Sequence, residues 1–243
     1  MKKHISVFNL MARVSLRKIF LILLAMIATQ VILFFMMGAG EEACLLDALE
    51  RIPSSAVVFF GLILVSAALS IPFADRGGRM NNLILRLGLS EKEIFWIHVL
   101  FCAISYCLFI LVQALTMILL SLIYDWVTPG TMDPITVFVT SYQHPLFHRF
   151  FPLHDLVGWA NHLLLVTGLS ICTAAYPIKQ RHRYNSISTT IMLVFAANHY
   201  TSLDMGDHLN GSQIAFPIFM LLCVLPICLY GVLSMEVDDY GKT

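Results

Sequence analysis

The chain has 243 residues, of which 58% are hydrophobic and 12% are charged, whereas a soluble globular domain is about 45–50% apolar and about 25% charged. Fifteen basic residues balance fifteen acidic ones, so no basic excess indicates nucleic acid as a partner. The composition excludes an ordinary soluble domain and indicates a protein embedded in lipid.

The first 18 residues are predicted to form an amphipathic helix at the membrane surface. Apolar or small residues at helical spacing oppose basic ones: Ile5, Phe8, Ala12 and Ser15 against Arg13, Arg17 and Lys18. A basic helix of this kind can lie in the headgroup plane before the chain turns into the bilayer.

Six segments are long and apolar enough to cross a bilayer core of about 30 Å, which takes about 20 residues. They are 19–38, 55–74, 94–124, 156–177, 187–203 and 214–234. The third is long enough to project beyond the bilayer, and the fifth is short and carries Asn198 and His199. We therefore predict an all-α polytopic membrane protein in which residues 19–243 form one six-span domain.

The distribution of charge predicts how the spans are oriented. With the N-terminus in the cytosol, all of the basic residues except Arg51 and Arg149 lie on cytosolic segments, as the retention of basic loops on the cytosolic side requires. An even number of spans then returns the C-terminus to the cytosol. Trp96, Trp126 and Trp159 each lie at a predicted span end, where indole rings favour the membrane interface. We expect a plasma-membrane protein, and a bacterial one.

The first cytosolic loop, "RGGRMNNLILRLGLSEKEIFWIH" from position 76, stands out. Met80, Leu83, Ile84 and Leu87 form one apolar helical stripe. Gly88 is placed to end this short helix, and "SEKE" from position 90 matches the capping box that begins a new one. Two interpretations follow: a helix that rests on lipid with its arginines on phosphates, or a docking helix for a cytosolic partner.

The spans themselves carry no Asp, Glu, Lys or Arg in their middle thirds, although ion-driven transporters usually need such groups inside the membrane. Their strongest polar residues are Gln30, Gln113, Asn161, His162, Asn198 and His199. Gln30, Gln113, Asn161 and Asn198 are candidates for a substrate path, and hydrogen bonding between helices is the alternative for each. The chain also lacks the G-x-x-x-x-G-K-[ST] phosphate loop, so energy for transport would come from another polypeptide.

Together, the basic N-terminal helix, the six spans and the loop "LILRLGLSEKEIF" resemble the permease subunits of ABC-2 type ATP-binding-cassette exporters. In that family a short helix and a Ser or Thr followed by charged residues precede the third span. The resemblance implies a short cytosolic coupling helix that docks on a cytosolic ATPase. By position, the implied contact residues are Arg79, Met80, Leu83, Ile84, Arg86, Leu87, Ser90 and Glu91.

The resemblance also implies partners and cofactors. These are the ATPase subunit, which would hold ATP and Mg, and a second permease that forms a homodimer or heterodimer with this chain in the bilayer. No cofactor is expected on this chain. Two features depart from the family pattern: the polar "DMGDHLNGSQ" between spans five and six, where the family commonly has re-entrant helices, and the long external loop 125–154.

Histidines on the external side offer a competing chemistry. A weak alternative metal site would use His144, His148, His154 and His208, since imidazole is a ligand for zinc or copper. His144 and His148 have helical i, i+4 spacing, but Pro145 lies between them. A structural or pH-sensitive role for these side chains is the other interpretation.

Two further functions remain open. "FAANH" at 195–199 fits an F-x-x-x-H pattern of intramembrane proteases, but the accompanying glutamate motif is incomplete because Leu46 stands where arginine is expected. We therefore expect a transport subunit and no enzyme. An accessory or structural membrane subunit of a larger complex is the principal alternative.

Overall fold

The structure, a computed structural model, describes residues 2–38, 44–74, 89–128, 134–153, 155–181, 187, 190–194 and 196. Within these ranges the regular structure is entirely helical. The α-helices are α1 (Lys2–Leu33), α2 (Leu45–Glu50), α3 (Ser54–Ala74), α4 (Glu91–Val127), α5 (Pro134–Gln143), α6 (Pro145–Phe150) and α7 (Leu156–Arg181), and a π-helix (Phe34–Gly38) follows α1.

Four of the described helices are long and apolar enough to cross a membrane: Lys3–Met37, Ser54–Ala74, Glu91–Val127 and Leu156–Gln180. They correspond to the first four predicted spans. The all-helical prediction is confirmed for the described residues, and the length and composition of these four helices suit a membrane-embedded protein. The sixth predicted span and most of the fifth lie outside the described residues, so the total of six spans stays a prediction.

The first helix is continuous where the sequence predicts two elements. α1 runs without a break past residue 18, so the predicted surface helix and the first span share one hydrogen-bonded backbone. Arg13, Arg17 and Lys18 are exposed as expected, but Ile5 is also exposed. A stripe of Val7, Met11 and Ser15 is buried instead. The basic half of α1 therefore packs on protein.

Inter-helix contacts show how α1, α3 and α4 are arranged. Ser15 donates a hydrogen bond to the Ala68 carbonyl at 3.1 Å, and Met26 faces Gly61, so α1 and α3 run antiparallel. Phe8 contacts Phe101 with ring centroids 5.5 Å apart, and Gln30 contacts Gln113 further along. α1 and α4 therefore run parallel.

The longest described helix is α4, which packs on α1 and α7 and hydrogen-bonds to α3. It has 37 residues and is about 55 Å long at about 1.5 Å per residue. Its start is set by the predicted capping box, which is confirmed: Ser90 Oγ accepts from the Glu93 amide at 3.3 Å, and Glu93 Oε2 accepts from the Ser90 amide at 3.0 Å. We refer to the two ends of the bundle as the Glu91 end and the Trp126 end.

Three short helices lie at the Trp126 end. α5 packs on α4, where Ser141 Oγ donates to Ser121 Oγ at 2.6 Å. α6 follows α5 directly, and α2 contacts both α5 and the π-helix. The region predicted as an external loop between spans three and four is thus largely helical, and its buried phenylalanines join the same core as the spans.

Candidate functional site

Two of the predicted path residues meet in the middle of the bundle. Gln30 on α1 donates from Nε2 to Oε1 of Gln113 on α4 at 3.0 Å. Both side chains are buried, at 0% and 1% exposure, because each lies on the apolar stripe of its helix that faces the other. We call these two residues the glutamine pair.

The glutamine pair does not satisfy all of its own hydrogen-bonding groups. Gln113 Nε2 is directed at the thioether sulfur of Met26 at 3.8 Å, a weak acceptor. The Oε1 atom of Gln30 is buried and has no partner. Since a buried unsatisfied acceptor costs about 1–3 kcal/mol, this oxygen is a site at which a hydrogen-bond donor would be stabilised.

Close approach of α3 shapes one wall of this region. A Cβ at Gly61 would overlap the end of the Met26 side chain and would lie 3.2 Å from the Phe109 ring. Only a small residue fits at position 61 beside Met26 and Phe109, close to the glutamine pair. A lone glycine in an apolar span was the sequence signal at this position, and no packing role was predicted for it.

A second polar contact links three spans and was missed from sequence. Tyr106 on α4 lies 2.7 Å from Ser66 Oγ on α3 and 2.8 Å from Thr173 Oγ1 on α7. Ser66 donates its proton to the Leu62 carbonyl at 2.8 Å. Tyr106 must then donate to Ser66, and Thr173 to Tyr106. Serines and threonines in apolar spans were the available signal, but most such side chains bond only to their own helix.

Asn161, another predicted path residue, lies at a different depth. The contact between Tyr106 and Thr173 marks a common level on α4 and α7. Counted from that level towards the Trp126 end, Asn161 is 12 residues away along α7 and Gln113 is 7 residues away along α4. The difference corresponds to about 7–8 Å along the bundle. Asn161 is buried beside His162, which contacts the Phe150 carbonyl at 3.0 Å. Asn198 lies outside the described residues.

Six of the residues predicted to contact an ATPase, Arg79, Met80, Leu83, Ile84, Arg86 and Leu87, lie outside the described residues. The other two begin α4. The hydroxyl of Ser90 is engaged in the capping box, where it also donates to Glu93 Oε2 at 3.2 Å. Glu91 is half-buried in the first turn. Their visible role is to define the start of α4.

The histidines predicted as an alternative metal site divide between described and undescribed residues. His144 is the N-cap of α6, and the His148 amide donates to its carbonyl at 3.1 Å. The His148 ring packs on Tyr142 with centroids 4.9 Å apart. Among the described residues no three His, Cys, Asp or Glu side chains form a group suited to a metal. His154 and His208 lie outside those residues.

His144 is nevertheless unusual for a residue at a helix end. Its side chain is buried, and its Nδ1 atom has no hydrogen-bond partner. Burial lowers the pKa of His144 from 6.5 to about 4, although a hydrogen bond with the Leu49 backbone acts in the opposite direction. The ring is therefore neutral at physiological pH and serves to join α2 to α6.

Comparison of the chain with family models, with curated proteins and with solved structures gave no match.

Proposed function

We propose that this chain is the membrane-spanning permease subunit of an ABC-2 type exporter. It moves a small amphipathic substrate, such as a drug, a peptide or a lipid, and takes its energy from a separate cytosolic ATPase that holds ATP and Mg. A second permease, identical or a sister subunit, completes the transporter. The ABC assignment rests on the loop pattern in the sequence, and the geometry of α4 supports it.

The observation that carries the proposal is the continuity of α4. This helix begins at the capping box directly after the basic segment 76–88 and continues unbroken to Val127. Along the way it carries His98, Tyr106 and Gln113, each of which bonds to another span. A displacement applied at the Ser90 end is therefore transmitted along a single rigid element to the glutamine pair.

The electrical neutrality of the bundle also supports an external energy source. Among the described residues, Lys179 near the end of α7 is the only buried Asp, Glu, Lys or Arg. Pumps and transporters that use ion gradients rely on ionisable groups within the membrane. Apart from Lys179 and the imidazoles of His98 and His162, the buried polar side chains of the described spans are amides and hydroxyls, which bind neutral or amphipathic groups through hydrogen bonds.

The mechanism follows from these two features. A tilt of α4 separates Gln113 from Gln30 and frees one donor and one acceptor in a low-dielectric region. A polar group of the substrate then replaces the broken contact, while the surrounding apolar side chains bind its hydrocarbon part. The unpartnered oxygen of Gln30 is available even before this movement.

Co-purification tests the proposal. The wild type should bring an ATPase of the native host through purification in mild detergent, and a Leu83→Asp, Leu87→Asp variant should lose it, because the changes place charge on the apolar stripe of the coupling helix. The matched control is Asn81→Asp, Asn82→Asp, which adds the same charge away from that stripe. Absence of any ATPase with the wild type, under conditions that preserve such complexes, would contradict the proposal and favour an accessory subunit.

A further inference from the structure

The short helix α5 turns one face towards the bundle and leaves an apolar face largely exposed, although Phe138 on that face also contacts Tyr142 and Phe147. Val137 and Ser141 face the bundle and are 5% and 1% exposed. On another face Ile135, Phe138 and Val139 are 79%, 46% and 48% exposed. These three positions are spaced i, i+3 and i+4, so they form one continuous stripe.

The composition of α5 suits lipid on that stripe. Its sequence, PITVFVTSYQ, contains no charged residue, and large exposed apolar patches in soluble proteins mark interaction surfaces. A helix that faced water would be expected to carry polar or charged side chains on its outer face. The exposed stripe of α5 therefore requires an apolar partner.

The depth of α5 follows from its contact with α4. Trp96 and Trp126, both exposed, are 30 residues apart on α4, or about 45 Å, which matches a bilayer with its headgroups. The midpoint between them is position 111. Ser121, which bonds to Ser141 of α5, is ten residues beyond this midpoint. The corresponding distance of about 15 Å is half of a hydrocarbon core of about 30 Å.

Exposed apolar side chains on the spans lie at the same end of the bundle as α5. Exposed leucines on α4, at positions 115, 119 and 122, lead towards Trp126, and Leu153 and Leu156 are exposed at 60% and 86% beside the start of α7. The stripe on α5 lies at the same end of the bundle, packed against α4. If the spans lie in a bilayer, the stripe is therefore close to side chains that face the acyl chains.

We propose that α5 is an interfacial helix, whose Ile135–Phe138–Val139 stripe is embedded among acyl chains just below the headgroups at the Trp126 end. This assignment replaces the aqueous external loop expected from sequence. It is independent of the proposed transport function, since it depends only on the lipid environment of the bundle. The Ser141–Ser121 hydrogen bond then links this interfacial helix to α4.

Fluorescence quenching in vesicles tests this inference. Single labelling sites are introduced in a background that keeps only the buried Cys102 and Cys172, with the other four cysteines replaced by serine. Phe138→Cys reports on the stripe, Leu122→Cys on α4 is the lipid-facing reference, and Glu50→Cys is the water-facing control. Glu50 is a charged, exposed residue on α2, which lies at the same end of the bundle.

Each variant is labelled with bimane and reconstituted in phosphatidylcholine vesicles that contain lipids with a nitroxide at carbon 5 or carbon 12. We expect bimane at positions 138 and 122 to be quenched several-fold more by nitroxide lipid than by iodide, and position 138 to be quenched more from carbon 5 than from carbon 12. Iodide should be the stronger quencher at position 50. Ile135→Cys repeats the measurement if Phe138→Cys is unstable.

Two results would overturn the proposal. Stronger quenching by iodide at both positions 138 and 135 would show that the stripe faces water. Protection from both quenchers, together with energy transfer between labelled copies that falls on dilution into excess lipid, would show that a second copy of the chain covers the stripe.

Discussion

The polar side chains that meet inside the bundle are neutral, and this decides what each can contribute. An amide pair such as Gln30–Gln113 loses little on transfer into lipid if its groups are bonded, but it is costly when one partner is missing. The glutamine pair makes one strong hydrogen bond where two were possible. It therefore holds α1 against α4 while leaving an acceptor free.

Removing one member of the glutamine pair is expected to cost more than removing both. Gln113→Leu leaves the amide of Gln30 without its buried acceptor, so we expect a loss of about 1 kcal/mol in unfolding free energy. In the double variant Gln30→Leu, Gln113→Leu, no buried amide is left unpaired, and part of the loss should be recovered. Unfolding in detergent with added dodecyl sulfate measures the unfolding free energies of the wild type, of each single variant and of the double variant.

Thr29→Val is the control for that series, because the Thr29 hydroxyl bonds only to the Ala25 carbonyl of its own helix. Its effect should be small. Single-variant effects that add without coupling would show that the two glutamines act independently.

Burial of His144 predicts a dependence of stability on pH. The pKa of His144 is about 4 in the folded chain, against 6.5 for the free side chain. Between these values the unfolded chain binds more protons, so folding stability rises with pH and is lost as the pH falls from 6.5 towards 4. His144→Phe should remove this part of the slope.

Melting temperatures of wild type and His144→Phe, measured in detergent from pH 8 to pH 4, check the sign. The difference between them should be constant above about pH 7, since His144 is then neutral in both the folded and the unfolded chain. A difference that stays constant down to pH 4 would contradict the buried, neutral state.

Where two helices cross, a single small residue sets their separation. At Gly61 the backbone of α3 approaches Met26 on α1 and Phe109 on α4, and small residues at such crossings are the usual means of close packing in membranes. The two side chains that face Gly61 differ in how easily they can move. The end of Met26 is flexible and can move, whereas Phe109 is buried at 1% exposure.

Gly61 variants should therefore depend on the size of the new side chain. Gly61→Ala is expected to be nearly neutral, since Met26 can turn aside, whereas Gly61→Leu should destabilise the bundle by about 1–3 kcal/mol through overpacking. Combining Gly61→Leu with Met26→Ala should restore part of this loss. Met26→Ala alone is the control. If Gly61→Leu lowers the unfolding free energy equally in the wild type and in the Met26→Ala variant, the crossing is not tight.

The described elements show which local features can be predicted from sequence. Spans predicted at 55–74, 94–124 and 156–177 are helices Ser54–Ala74, Glu91–Val127 and Leu156–Arg181, and the Ser90–Glu93 capping box is present. These features depend on hydropathy and on contacts within four residues. The unbroken α1 and the helices α2, α5 and α6 were not predicted, because packing on the spans stabilises short or mixed segments that lack a strong pattern of their own.

At the scale of the whole molecule, the four described spans form a bundle in which α1 and α7 each pack on both α3 and α4. Since α4 contacts the other three described spans, any movement of it must change several interfaces together. The sign of the charge at each end is a separate property. The basic residues predict that the Glu91 end is cytosolic, and the proposed transport mechanism depends on this orientation.

Cysteine labelling in intact cells tests the orientation. A membrane-impermeant maleimide should label Glu50→Cys on α2 without permeabilisation, whereas Lys92→Cys at the start of α4 should react only after the cells are opened. Both positions are exposed, so access across the membrane, and not burial, decides the result. Cys44→Ser removes the external native thiol from both. The reverse labelling pattern would place the Glu91 end outside and exclude docking of a cytosolic ATPase at this loop.

Hydropathy, charge asymmetry and capping are local properties of the chain, and they were sufficient to identify the membrane environment, the first four spans and the start of α4. They also selected Gln30 and Gln113 as candidates, because amides in apolar spans are few. Gln30 and Gln113 are 83 residues apart in sequence. Their contact, and the depth of Asn161, depend on how the helices rotate and cross. Those quantities arise from side-chain packing between helices, so only the tertiary structure determines them.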